Sequence, residues 1–269
     1  MKLSISTLGC PNWSFDKIIT EFSKLGVQGI EVRGIDGVMD FDAIPELCGE
    51  NIGKTLEILK KNKLEFVCFG ASSSFHEREK HEKNIAEAKA TIDAAKRCGV
   101  PYIRVFGNNV SAEAPDESLE NIIDGIAEVC RYAEDKGVVV NLEIHGDINT
   151  PERLAKVIGA LKCYKSFGII WDICHTFTSC GNDISEVYEV IKPYVRHVHI
   201  KDAVRDDGKT QLRSIGEGDI NIEGIIKLLL DDGYCGFFSF EHEKKWHKEL
   251  PEPETEFPKF VEYIKKLNI

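Results

Sequence analysis

Carboxylates and imidazoles recur at short spacings in four places along the second half of this 269-residue chain: Glu143 with His145, Asp172 with His175, His197 with His199, and Glu241 with Glu243. Such side chains hold divalent cations and move protons near neutral pH. A set of three carboxylates and one imidazole suits one hard or borderline divalent ion, Mn2+, Mg2+, Co2+ or Zn2+. Thiolate ligands are not implied, because the nine cysteines are scattered with no CxxC pair. Each of the four stretches is a weak signal alone, since a single Glu or His near a strand end is more often a surface or supporting residue. Their joint occurrence carries weight if the fold gathers them.

Each stretch ends a short run rich in β-branched or aromatic residues, and eight such runs can be marked: 3–7, 29–34, 65–71, 102–107, 138–145, 167–173, 196–202 and 236–243. Amphipathic segments of helical period separate them, the pattern of a parallel sheet with crossover helices. Helix ends support the count. Ser14 precedes FDKIITEFSKLG with Asp16 in the first turn and Gly26 at the stop; Thr150-Pro151-Glu152 reads as a cap residue followed by proline at the first helical position; Gly99 and Gly137 follow the third and fourth helices. Eight units whose strands stay apolar until their last residues predict a single (β/α)8 TIM barrel over residues 1–269. Active sites of such barrels lie at the C-terminal strand ends, where the four stretches fall. Because residues two apart share a face of a strand, Glu143 faces with Asn141 and His145, His199 with His197 and Lys201, and Glu241 with Ser239 and Glu243. Spacing alone leaves the ligand within each pair open.

A formal charge of -11 disfavours nucleic-acid partners, which need a basic face. The longest apolar runs, such as GVVVNL and FGIIWDI, are strand-length and far from the roughly 20 residues that span a bilayer, so no membrane partner is expected. MKLSISTLGC enters a strand-like pattern at once and lacks a signal core. With an odd, unpatterned set of cysteines, the expectation is a cytoplasmic protein whose cysteines are mostly small buried hydrophobes. Residues 244–258, KKWHKELPEPETEFP, form either a solvated loop or a lid over the barrel mouth, and Trp246 and His145 are favoured as substrate-facing. The run HEREKHEK (76–83) reads as a solvated helix start. Glu31 and Arg33 read either as substrate contacts or as a salt-linked rim.

The segments NLEIHGD (141–147), WDICH (171–175), HVHIKD (197–202), GEGDI (216–220) and SFEHEKKWH (239–247), with LGCPNWSFDK and LGVQGIEVR near the start, resemble the sugar phosphate isomerase/epimerase group of the xylose-isomerase-like TIM barrels. That resemblance covers nearly the whole chain. It implies Glu143, Asp172, His199 and Glu241 as the four metal ligands, with Glu143 and Glu241 doubling as an acid/base pair. It also implies His175 and Arg205 as substrate-binding residues, and a small carbohydrate as substrate. Barrels of this group often associate through their outer helices, so a homo-oligomer is compatible with it. The expected chemistry is coherent: a divalent ion chelated by a carbonyl and the adjacent hydroxyl of a sugar acidifies the intervening C–H and stabilises the enediolate. Return of the proton from the other face gives epimerisation, and return to the neighbouring carbon gives aldose–ketose isomerisation.

Three rival readings stand beside this one. A dehydratase of the dehydroshikimate or keto-inositol kind shares the first proton removal and then expels a β-hydroxyl. DNA-repair enzymes of the endonuclease IV type hold three metals, but the positions of their further ligands read Phe106-Gly107-Asn108 and Thr210-Gln211-Leu212 here. The third is a sugar-binding barrel without activity, against which the retained Glu143 and Glu241 argue.

Overall fold

The Ser14 hydroxyl accepts the Lys17 N–H and opens α1 (Phe15–Leu25), which stops at Gly26 in the left-handed conformation, φ 74°. Glycines in the same conformation close the next well-marked helices: Gly99 follows α3 (His81–Cys98), and Gly137 follows the short turn after α4 (Pro115–Ala133). α2 (Asn51–Lys61) lies between α1 and α3. In the computed structural model, which describes residues 1–207, 209–267 and 269, these helices alternate with strands as expected.

The strands are β1 (Lys2–Ser6), β2 (Gly29–Val32), β3 (Glu65–Ser74), β4 (Tyr102–Asn108), β5 (Val139–Gly146), β6 (Phe167–Asp172) and β7 (Val195–Ile200), a hairpin of β8 (Asp202–Asp206) and β9 (Lys209–Arg213), and β10 (Phe237–Phe240). The order β1-β10-β7-β6-β5-β4-β3-β2 makes a closed parallel barrel, with the hairpin as a separate two-stranded sheet. The remaining helices are α5 (Pro151–Leu161), α6 (Ile173–Cys180), α7 (Ser185–Ile191), α8 (Ile222–Asp231) and α9 (Pro253–Lys266). Among the described residues no helix is long and apolar enough to cross a membrane.

The chain divides into two compact units, Met1–Val67 with His197–Ile269, and Cys68–Arg196. In the first, Ser4 lies opposite Gly29 and Ser239, and Ser239 opposite His199. One face of these strands is apolar and meets the helices: Phe240 stacks on Phe260 of α9 at 4.5 Å between ring centres. The other face carries Ser4, Ser6, Glu31, His197, His199 and Ser239, all buried. In the second unit Arg104 lies opposite Asn141, Phe106 opposite Glu143, and Asn141 opposite Gly168. Trp171 stacks on Tyr188 of α7 at 5.3 Å, so its neighbour Asp172 turns to the other side of the strand.

Several sequence expectations change. β10 ends at Phe240, which leaves Glu241 and Glu243 just beyond the strand rather than within it. The hairpin follows β7 directly and adds two strands to the eight marked in sequence. Thr150 precedes α5 as expected, but its side chain makes no capping hydrogen bond. Residues 253–258 belong to α9 rather than to a loop. His81, placed in a solvated run, is buried, with Nε2 2.9 Å from the Phe75 carbonyl and its ring edge-on to Phe75. Of the cysteines, Cys10, Cys68, Cys98, Cys130 and Cys174 are buried, whereas Cys163 and Cys235 are exposed.

Two helical glycines separate propensity from packing. A Cβ on Gly125 of α4 would overlap the fully buried Phe75 ring, whereas one on Gly159 of α5 meets open space. Gly159→Ala is therefore expected to raise stability by about 0.5–1 kcal/mol. Gly125→Val should lower it by about 1–3 kcal/mol, the usual cost of overpacking a core. Urea unfolding of both variants checks this, and a stabilised Gly125 variant would refute the close approach to Phe75.

Candidate active site

In the first unit, β7 alternates so that His197 and His199 face the same way, and both reach Glu31 on β2. His197 Nε2 donates to Glu31 Oε2 at 2.9 Å, His199 Nε2 lies 3.0 and 3.1 Å from the two carboxylate oxygens, and the Ser239 hydroxyl donates to Oε2 at 2.7 Å. Burial acts to raise the Glu31 carboxyl, but the two imidazoles that donate to it outweigh burial and hold the group well below the usual carboxylate range. The other nitrogen of His199, Nδ1, lies 3.4 Å from Glu241 Oε2. Lys201, two residues on along β7's face, places Nζ 2.6 Å from Glu241 and 2.5 Å from Glu243. The Glu241 N–H donates to the Ile200 carbonyl at 3.1 Å, which extends the pairing of β10 with β7 past the end of β10.

Asp202 starts the hairpin and ties down its base. Its Oδ1 accepts the Ala203 N–H, and its Oδ2 accepts those of Gly216 and Gly218. Burial still leaves its carboxyl raised against those bonds. Glu256, buried on α9, accepts from the Ser214 hydroxyl and the Ile215 N–H. Arg205 stands exposed on β8 opposite Thr210. Trp246 is 57% exposed in the turn after Glu243, with Lys245 Nζ 5.4 Å from its ring centre. The structure therefore places Arg205 and Trp246 at the surface, unlike the buried His199 and Glu241.

In the second unit, Asp172 caps α6: its Oδ1 accepts the N–H groups of Cys174 at 2.9 Å and His175 at 3.2 Å. The D-x-x-H spacing is thus the first turn of a helix, with the carboxylate at the end where its charge is favoured. Arg104 Nη1 lies 3.1 Å from Glu143 Oε2, both side chains being buried. Its Nη2 donates to the Ala71 carbonyl at 3.2 Å, and its guanidinium lies 4.2 Å over the Phe106 ring. Phe106, His145 and His175 form a ring series, with centres 4.8 Å and then 4.1 Å apart.

Glu143, Asp172, His199 and Glu241 are all buried and form a group of side chains that could hold a metal ion. Three carboxylate ligands and one imidazole fit a divalent cation. A second group, Glu31 with His197 and His199, meets the same description, but its contacts have hydrogen-bond lengths and bring donors to a single acceptor. Arg104, buried beside Glu143, is a residue that the strand ends alone do not point to. Its signal was available: a charged side chain inside the apolar run YIRVFG is rarely buried unless paired. From sequence Glu31 reads only as a substrate contact or a rim residue, since its tie to His199 depends on a register between strands 168 residues apart.

The xylose isomerase-like TIM barrel model matches residues 19–267. The chain belongs to this family. A stretch of 133 residues is 32% identical to the uncharacterized protein MJ1311 of Methanocaldococcus jannaschii, covering 47% of this chain and 44% of that protein. The inosose isomerase of Halalkalibacterium halodurans is 23% identical over 81% of this chain and 79% of its own length. An inosose dehydratase of Clostridium perfringens is 23% identical over 86% and 83%. Among solved structures, that of a D-tagatose 3-epimerase-like protein matches with a TM-score of 0.75 and 21% identity over 100% of this chain and 98% of that one. That of the IOLI protein with a binding zinc atom matches with a TM-score of 0.77 and 19% identity over the whole of both. Likeness at these identities shows the fold of this xylose isomerase-like barrel.

Removing one partner of a buried ion pair leaves the other charge uncompensated, at a cost of about 3–5 kcal/mol. Arg104→Met is expected to lose stability in that range, read from urea unfolding at neutral pH. A loss below about 1 kcal/mol would show that the Arg104–Glu143 pair does not support the barrel.

Proposed function

We propose that Glu143, Asp172, His199 and Glu241 hold one divalent ion, Mn2+, Mg2+, Co2+ or Zn2+, and that the protein is a metal-dependent isomerase or epimerase of a sugar or sugar phosphate. The observation that carries this reading is the buried donor set itself, in which two of the three carboxylates each have a buried cation beside them. The ion would polarise a substrate carbonyl and acidify the adjacent C–H. Glu143, oriented by Arg104, takes the proton at a carboxylate oxygen. Glu241, oriented by Lys201, returns one to the opposite face of the same carbon, or to the neighbouring carbon for an aldose–ketose exchange. His145 and His175 bind substrate hydroxyls beside the apolar wall of Phe106, and Arg205 and Trp246 close the outer end of the substrate site.

The family's named enzymes support sugar-like substrates, and the net charge of -11 supports them over nucleic acid. The unpatterned cysteines support a cytoplasmic setting. The relatives named inosose dehydratase favour a second reading that uses the same residues. Glu143 again removes the proton beside the carbonyl, and Glu241 protonates a β-hydroxyl that leaves as water, giving an enone.

Incubation of the Mn2+-loaded protein with a panel of ketoses and inososes in deuterated water distinguishes these outcomes. Deuterium at the carbon beside the carbonyl, with the epimer or the isomeric aldose, supports the first reading. Loss of water with a new enone absorbance assigns the dehydratase, and no exchange with any substrate would count against both. Glu143→Gln and Glu241→Gln should each lower kcat by about 10^2–10^4-fold, the range of a general acid or base, and chelation should abolish exchange until a divalent ion is restored. Trp246→Ala is expected to raise KM several-fold with a normal fold by circular dichroism; unchanged kinetics would remove it from the substrate site.

A further inference from the structure

Glu31 lies in the barrel at the centre of three donated hydrogen bonds. His197 and His199, two residues apart on one face of β7, both aim Nε2 at it, and Ser239 supplies the third donor. A carboxylate accepts and does not donate, so the His199 proton must sit on Nε2. In the neutral ring this leaves the lone pair on Nδ1, the nitrogen that lies 3.4 Å from Glu241 Oε2. Ring orientation is fixed by the same bond, because a ring turned over about its Cβ–Cγ axis would take Nε2 away from the carboxylate. Buried carboxylates that hold a ligating imidazole in this way set both its tautomer and its strength as a donor.

We propose that Glu31 is a positioning residue: it holds His199 as the Nε2–H tautomer and so selects Nδ1 as the ligand atom of the metal centre. This inference rests on reading Glu143, Asp172, His199 and Glu241 as a metal site. His197 takes the second place on the same carboxylate and keeps Glu31 centred on β7. Its Nδ1 is buried without a hydrogen-bond partner, so Nε2 makes the ring's hydrogen bond, to Glu31. A glutamine at position 31 replaces one acceptor oxygen with an NH2 donor and removes the negative charge, so the group facing the two imidazoles is no longer an acceptor at both of its ends.

The test is nitrogen NMR of histidine-labelled protein, without ion and with Zn2+, combined with calorimetric Zn2+ titration. In the wild type, His199 should be Nε2–H in both states, and Nδ1 should be the resonance that moves on adding Zn2+. Glu31→Gln should bind Zn2+ about 10–100-fold more weakly, the range for supporting partners of metal ligands, and should populate the Nδ1–H tautomer. Glu143→Gln should also weaken Zn2+ but leave His199 as Nε2–H. A wild type that binds no Zn2+ or Mn2+ overturns the metal reading and this inference with it. A wild type that binds Zn2+ through Nε2, or a Glu31→Gln variant with affinity within about twofold of wild type, overturns the role of Glu31 and leaves the metal reading standing. Because the wild-type spectra report the tautomer and the ligating nitrogen directly, the test survives a variant that does not fold.

Discussion

A charge removed from water must find a partner within the protein, and that requirement organises the polar side of every strand that reaches the site. Glu143 has Arg104, Glu241 shares Lys201 with Glu243, and Glu31 has two imidazoles and a hydroxyl. Each partner comes from a neighbouring or nearby strand, so the pairs form only when the strands are in register. One residue of slip on β7 would turn Val198 and Ile200 toward Glu31 and send both histidines to the helices.

The apolar side of the same strands makes this arrangement affordable. Phe238 and Phe240 on β10, and Ile5 on β1, are buried against the helical layer, where Phe240 meets Phe257 and Phe260 of α9. Small residues then make room on the polar face. Gly29 lies where a Cβ would strike Ser4, Phe237 and Val67, all closer than 3.0 Å, and Gly168 lies under Asn141. Barrel interiors are commonly filled by branched aliphatic side chains. Here the space around His197 and His199 is given instead to groups that hold or orient a charge, an exchange of packing for function that proteins tolerate when the remaining core is large.

How much of this could be read beforehand followed the range of the interaction. Alternation and cap residues are local, so the eight barrel strands, α1 with Ser14 and Gly26, and the position of Glu143, Asp172, His199 and Glu241 near strand ends were readable from sequence. The structure adds that Asp172 is both the last residue of β6 and the cap of α6. Arg104, Glu31 and the hairpin were not readable in the same way. The pairing of Arg104 with Glu143 needs the register of β4 on β5, the hold of Glu31 on His199 needs the closure of strands far apart in sequence, and the rungs of β8 and β9 alternate without an apolar face that would mark them as strands. His81 failed for a related reason: its neighbours are charged, and only the turn that carries Phe75 beneath α3 buries it.

The pairing pattern also bears on how this site could serve either of the two proposed reactions. In the proposed chemistry the first step is common, and it engages Glu143 on a side where Arg104 is bound to a backbone carbonyl and stacked on Phe106, a fixed environment. The second step belongs to Glu241, whose partner is a lysine held between two carboxylates. An ammonium has three donors on a flexible stem and can follow either carboxylate as charge moves, whereas a guanidinium locked by three contacts cannot. The side that accepts the first proton is therefore rigid, and the side that delivers the second can adjust. A barrel built in this way keeps proton removal constant while the substrate's own leaving group, set against Glu241 or away from it, determines whether the proton goes to carbon or to oxygen.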